Sequence, residues 1–148
     1  MKETTKEILR KFGWYEGRDV NIDAIIKYYE TGTDIVFEPV KNFLREFGFL
    51  EISLKEPFSW TDKYGHKNHS ISYNNIDINP INPVFPTFCA DEVEEMEEAA
   101  NERMLEVGTT ECGMYKLAVS ESGKVYYDGG LLADNFDDAW DKIIEGSF

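Results

Sequence analysis

The sequence predicts a single α+β domain, and three observations carry that prediction. Apolar residues recur at helical spacing three times before residue 48. From Leu50 the period shortens to two, the signature of a half-buried strand. The last 33 residues, Lys116 to Phe148, read as two short strands, a glycine corner and one amphipathic helix. A chain of 148 residues suits one domain, 1–148, and buries a sizeable core without disulfide staples. A hydrophobic fraction of 42% with 21 Phe, Tyr and Trp residues excludes general disorder.

Taken in order, Lys2–Phe12 is helical, with Ile8, Leu9 and Phe12 as its apolar stripe. Gly13 ends it, and Gly13–Arg18 forms a compact corner carrying Trp14 and Tyr15. Asn21 is placed to cap a second helix bearing Ile22, Ile25, Ile26 and Tyr29. A third begins near Val36, aligns Val40, Phe43, Leu44 and Phe47, and stops at Gly48; Pro39 falls in its first turn, where the missing N–H costs nothing. Leu50, Ile52 and Leu54 then alternate with Glu51, Ser53 and Lys55. Glu56-Pro57 interrupts this strand, with Phe58–Trp60 as a continuation or an edge, Thr61–Asn68 as loop, and His69–Tyr73 as a further short strand.

Prolines at every third position mark Ile78–Pro86 as polyproline-like, a pattern that favours a packed connecting loop over a ligand for an aromatic groove. Asp91–Asn101 is a fourth helix with Val93, Met96, Ala99 and Ala100 on one side. Met104–Gly108 is a strand and Thr109–Gly113 a loop. Leu117–Val119 and Lys124–Tyr127 pair across a polar turn, and Asp128-Gly129-Gly130 breaks the second strand. Asp134 or Asn135 caps the closing helix, whose stripe is Phe136, Ala139, Trp140, Ile143 and Ile144, and Gly146 stops it. Trp14 and Trp140 are expected in the core.

Charge is unevenly distributed. Met1–Asn74 carries 11 Lys and Arg against 12 Asp and Glu, whereas Asn75–Phe148 carries 4 against 17. Nearly all of the net −14 therefore lies in the second half. Direct nucleic-acid binding needs a basic surface and is disfavoured. An acidic face suits a basic partner, whose approach it steers. No apolar run approaches the roughly 18 residues of a membrane helix, and the charged N-terminus lacks a signal-peptide segment, so a cytoplasmic protein is expected. Cys89 and Cys112 are expected to be reduced and semi-buried, with a disulfide or metal role as the lesser alternative.

No motif for catalysis emerges. Phosphate-binding glycine loops and the G-x-S-x-G elbow are absent from the sequence. His66 and His69 stand at H-x-x-H spacing without the Glu or the i,i+4 geometry of a zinc helix, and read as solvated. Asp134, Asp137, Asp138 and Asp141 crowd the last helix without the spacing of a calcium loop; capping and the helix dipole account for them. The expectation is a non-enzyme with no catalytic residues, no metal and no cofactor.

Several stretches, in order, resemble the SUKH superfamily, in particular its third subgroup of bacterial immunity proteins. They are Gly13-Trp14-Tyr15-Glu16-Gly17-Arg18, Val40 to Leu50 (VKNFLREFGFL), Val107-Gly108, Leu117 to Tyr126 (LAVSESGKVY) and Asp134 to Gly146 (DNFDDAWDKIIEG). The resemblance implies helices packed on one curved, mostly antiparallel sheet, closed by the C-terminal hairpin and helix. It also implies an antidote that binds and blocks a polymorphic toxin, often a nuclease. Phe58 to Cys89 departs from the pattern, which leaves the partner's identity open.

On this reading the acids Asp91, Glu92, Glu94, Glu95, Glu97 and Glu98 cover basic residues of a cognate nuclease toxin, with Trp60 and Tyr64 as aromatic anchors. A core position for Trp60 competes with that role. The alternative function is a scaffold or regulatory binding module without a toxin partner; an enzyme whose site leaves no sequence motif ranks third.

Overall fold

The structure, a computed structural model, describes residues 1–32, 35–81 and 90–146, with the side chains of Ala90 and Asp91 outside that set. Three helices come first: α1 (Glu3–Lys11), α2 (Asp23–Gly32) and α3 (Glu38–Phe47). Strands β1 (Glu51–Thr61) and β2 (Lys67–Asp77) follow, then α4 (Ala90–Ala100) and β3 (Met104–Thr110). A 3-10 turn at Glu111–Gly113 leads to β4 (Tyr115–Ser120), β5 (Val125–Tyr127), β6 (Gly130–Ala133) and α5 (Phe136–Glu145). The six strands form one curled antiparallel sheet in simple sequence order.

Alternation along the strands separates two apolar layers. Leu105, Val107, Leu117, Val119 and Val125 join the main core with residues of α1, α2, α3 and α5, whereas their neighbours Met104, Ala118 and Tyr126 form a second cluster with Met96 and Ala100 of α4. Adjacent residues of a strand point to opposite faces. The four other helices therefore cover one face, and α4 sits across the back of β3–β6.

An aromatic chain couples α3 to α5. Phe136 meets Phe43 edge-on at 5.1 Å between ring centres, Phe43 meets Phe47 at 5.1 Å, and Phe47 meets Trp140 at 5.2 Å. Trp14 and Trp140 are buried to 3% and 0% exposure, as the sequence predicts. The Gly13–Arg18 corner has a structural task. Gly13 and Gly17 take positive φ (103° and 79°), which turns Arg18 back over the end of α3. There its guanidinium donates to the carbonyls of Glu46 (2.6 Å) and Gly48 (2.8 Å), while the Trp14 indole N–H donates to the Glu46 carboxylate (3.2 Å). Two carbonyls at a helix end are thus satisfied by one rigid fork.

The aspartates of α5 are absorbed by the fold. Asn135 caps the helix, accepting the Asp138 N–H at 2.9 Å. Asp137 binds the amino terminus of Met1 at 3.1 Å, and Asp134 lies 3.8 Å from Lys124. Asp141 accepts the Thr5 hydroxyl (2.6 Å) and the Lys2 N–H (2.9 Å), tying α1 to α5. Burial alone would raise the Asp141 pKa; these hydrogen bonds outweigh it and hold the carboxyl below its ordinary value.

Several expectations need correction. Pro57 does not interrupt β1, which runs through it, because β1 is an edge strand whose outer side has no ladder to lose. The second strand is 11 residues rather than five, since the loop is only Asp62–His66. Asp128-Gly129-Gly130 does not end the hairpin: Asp128 and Gly129 turn the chain, Tyr127 pairs with Gly130 (φ 121°), and a third strand, β6, returns. Thr109 and Thr110 belong to β3 rather than to a loop. Asn21 does accept a backbone N–H, from Asp23 at 2.9 Å, where α2 begins. Ala99 is exposed rather than part of the covered side of α4. Of the proline stretch, Ile78 and Pro80 are buried, whereas Asn82–Pro86 lie outside the described residues, as does Cys89.

Candidate partner-binding surface

The acids of α4 reach the surface because of where that helix packs. Its apolar residues are few, and only Met96 and Ala100 pack on the second cluster. It contacts β3 and β6 and leaves the outer side to solvent. Glu92, Glu94, Glu95 and Glu98 are exposed. Glu97 is half-buried and turned toward the sheet, where its carboxylate accepts the Met104 N–H at 3.3 Å. Glu92 approaches the Lys116 ammonium at 3.8 Å. Asn101, at φ 55°, ends the helix in the left-handed region that Asn tolerates.

Between α4 and the β5–β6 turn lies a groove of about 650 Å³. Its floor is apolar (Met96, Ala99, Ala100, Tyr126, Leu131), and its rim carries Glu92, Glu95 and Asp128. An apolar trough with carboxylates at its mouth matches a lysine or arginine side chain, whose stem is apolar and whose head is cationic. Asp128 accepts the Lys116 N–H at 2.6 Å, which fixes its position at the rim.

Trp60 and Tyr64 stand elsewhere. Both belong to the far part of the β1–β2 hairpin, so the structure does not bring them together with α4. The strands pair in full register from Glu51↔Asp77 to Thr61↔Lys67, but β2 meets β3 only at Asp77↔Thr109. From Lys55 and Tyr73 outward the hairpin is a two-stranded arm to which no further strand pairs among the described residues. Its root is pinned: the Asn74 side-chain amide donates to the Glu111 carboxylate (2.7 Å) and its oxygen accepts the Glu111 N–H (2.8 Å), while the Cys112 thiol donates to the Tyr73 carbonyl (3.1 Å). Its tip is pre-shaped, with Asp62 accepting the N–H groups of Tyr64 (2.8 Å) and His66 (2.9 Å). Those bonds, led by the one from His66, hold the Asp62 carboxyl below its usual range.

Trp60 is 47% and Tyr64 72% exposed, which settles Trp60 as a surface residue. Three or more residues able to hold a metal are not grouped anywhere among the described residues, and His66 faces Asp62 at 3.2 Å. Among those residues no helix is long and apolar enough to cross a membrane.

The family described as SUKH-3 immunity protein matches residues 1–146. The chain belongs to the SUKH-3 immunity protein family. No curated protein and no solved structure gives a match. As an immunity-family member the chain has a cognate toxin as its implied partner, and the family is generally non-enzymatic. The motifs that carry this membership now have physical roles: the Gly13–Arg18 corner caps α3, and the closing helix seals the aromatic core. Apart from Tyr126, which lines the groove, none of the quoted motif residues belongs to the acidic groove or the arm.

Sequence reasoning missed Phe58, Ile71 and Tyr73, all exposed on the arm. A signal existed for two of them. Ile76 and Asn74 are the buried positions of β2, so Ile71 and Tyr73 fall on the opposite parity, where an apolar side chain has no core to enter. Phe58 and Trp60 share the parity of the buried Ile52, which is why core and surface could not be told apart.

Proposed function

We propose that this chain neutralises a cognate toxin, a basic nuclease domain, by occluding it sterically and electrostatically. The observation that supports the reading is the acidic outer side of α4, set beside a groove shaped for a basic side chain. Carboxylates of that face stand in for phosphate and engage the cations the nuclease uses to hold its substrate. The net charge of −14 steers a basic partner toward the complex. Binding, not chemistry, does the work, and nucleic acid is not contacted directly.

The test is co-expression with a candidate toxin, the toxin-like C-terminal domain of any secreted protein encoded beside this gene. Growth rescue is expected from the wild type. Replacing Glu94, Glu95 and Glu98 with Lys should slow association at least about tenfold and flatten its salt dependence, because these groups are exposed and screened by ions. Rescue without any change in association on charge reversal would refute the electrostatic part. Absence of rescue would refute the toxin-neutralising reading for that partner.

A further inference from the structure

The arm poses a packing problem that the chain does not solve by itself. On one ribbon face Phe58 and Trp60 stack at 5.3 Å between ring centres, with an interplanar angle of 23°. On the other, Pro57 lies opposite Ile71 and Lys55 opposite Tyr73. Phe58, Trp60, Ile71 and Tyr73 each keep about half their surface in water (47, 47, 54 and 50%). An isolated two-stranded hairpin is marginal in water, and apolar side chains on both of its faces make it more so. A flat surface covers only one face of a ribbon. Covering both takes a concave partner that receives the arm between two walls.

We propose that the β1–β2 arm is an insertion element that enters a cleft of the cognate toxin, with the Phe58–Trp60 stack against one wall and Pro57, Ile71 and Tyr73 against the other. This rests on the reading of the chain as a toxin-binding protein and adds where and how the toxin is met. Charge selects the occupant. Between Lys55 and Tyr73 three lysines, Lys55, Lys63 and Lys67, face two acids, Glu56 and Asp62, so the arm is nearly neutral on a chain carrying −14. A near-neutral arm loses little on leaving water, while the acidic body attracts a basic protein and repels a second copy of itself. The area is also adequate. An aromatic residue buries about 150–250 Å² in full, so four half-exposed large side chains and the more exposed Tyr64 supply roughly half of a standard face of about 800 Å². The Asp62 turn holds the tip in shape before binding, which lowers the ordering cost.

The experiment uses the full chain and a catalytically inactive form of the toxin domain that the co-expression test identifies. Two double variants separate the faces, F58S/W60S and I71S/Y73S. Because neither pair lies in the core, each should melt like the wild type by circular dichroism. Each should weaken binding at least about 30-fold. Trp60 gives an independent reading in the unaltered protein: Trp14 and Trp140 are buried, so acrylamide quenching reports mainly on Trp60, and binding should sharply reduce it.

If only one double variant weakens binding, the toxin docks on one face and insertion is refuted. If neither does and Trp60 stays quenchable, the arm is not the contact, although rescue by the wild type would leave the immunity reading standing. A wild-type dimer in sedimentation that F58S/W60S abolishes would assign the arm to a second copy and overturn the proposal. Failure of the wild type to bind or rescue would count against the immunity reading, and the insertion proposal falls with it.

Discussion

Trp140 gives the sharpest test of the core. Its ring is fully buried, sits 5.2 Å from Phe47 and closes the aromatic chain between α3 and α5. Trp140→Ala removes the indole and leaves a cavity walled by ordered helices, a change that costs about 3–5 kcal/mol. For a chain of this length that lowers the melting temperature by roughly 2–4 °C per kcal/mol, hence about 8–15 °C at the middle of the range. Trp140→Phe behaves differently for a reason visible in the structure. The indole Nε1 is buried with no hydrogen-bond partner among the described residues, a burial cost of about 1–3 kcal/mol that phenylalanine does not carry. The smaller ring loses packing at roughly 24 cal/mol per Å³ of space left, about 1 kcal/mol. The two terms nearly cancel, so Trp140→Phe should stay within about 1 kcal/mol of wild type. Urea unfolding followed by far-ultraviolet circular dichroism measures both. A loss of only a few tenths for Trp140→Ala would place the ring outside the core. A Phe variant as damaged as the Ala variant would show that the N–H is satisfied.

Three further predictions concern the sheet and its supports. Gly108→Ala should cost about 1–3 kcal/mol or more, because a Cβ there would stand 2.2 Å from the Asp77 carbonyl oxygen, beside the bulge between Glu106 and Gly108; thermal melting reads it directly. Arg18→Lys should lose about 1–2 kcal/mol, since an ammonium cannot span the Glu46 and Gly48 carbonyls as the guanidinium fork does; parallel urea titrations decide, and a neutral result would deny Arg18 its capping role. Asp77 titrates with a raised pKa of about 6, first because burial disfavours its charge and then because Glu51 faces it across the strands. The folded state therefore holds a proton that the unfolded state releases near pH 4, and stability falls as pH rises from about 4 to 6. Asp77→Asn should remove that decline, gaining about 1–2 kcal/mol on wild type between pH 4 and 7 after allowing for solvent screening, and an unchanged difference across the range would refute the assignment.

The elements that could be read from sequence are those whose pattern is local. Val40, Phe43, Leu44 and Phe47 declare a helix face by spacing alone, and all four are buried. The same is true of Ala139, Trp140 and Ile143. Reading failed where the decision was made by distant chain. Pro57 looked like a break because its missing N–H matters only if a neighbouring strand needs it, and edge position is a property of the whole sheet. Asp128-Gly129-Gly130 looked like a stop because a two-residue turn, here Asp128-Gly129, becomes a hairpin only when a partner strand follows. The acids of α4 were legible as a cluster, but not that Glu97 turns inward to Met104. The arm was the least legible part. Its aromatics alternate like core residues, and only the single β2–β3 pair at Asp77 and Thr109 shows that the sheet ends beneath them.

The proposed function has this chain bind and silence a basic toxin. Growth of cells expressing the candidate toxin domain, with and without this protein, alongside the lysine variant of Glu94, Glu95 and Glu98, tests that reading most directly. The account predicts rescue by the wild type and reduced rescue by the charge-reversed variant at equal expression. Equal killing with and without the wild type would contradict it.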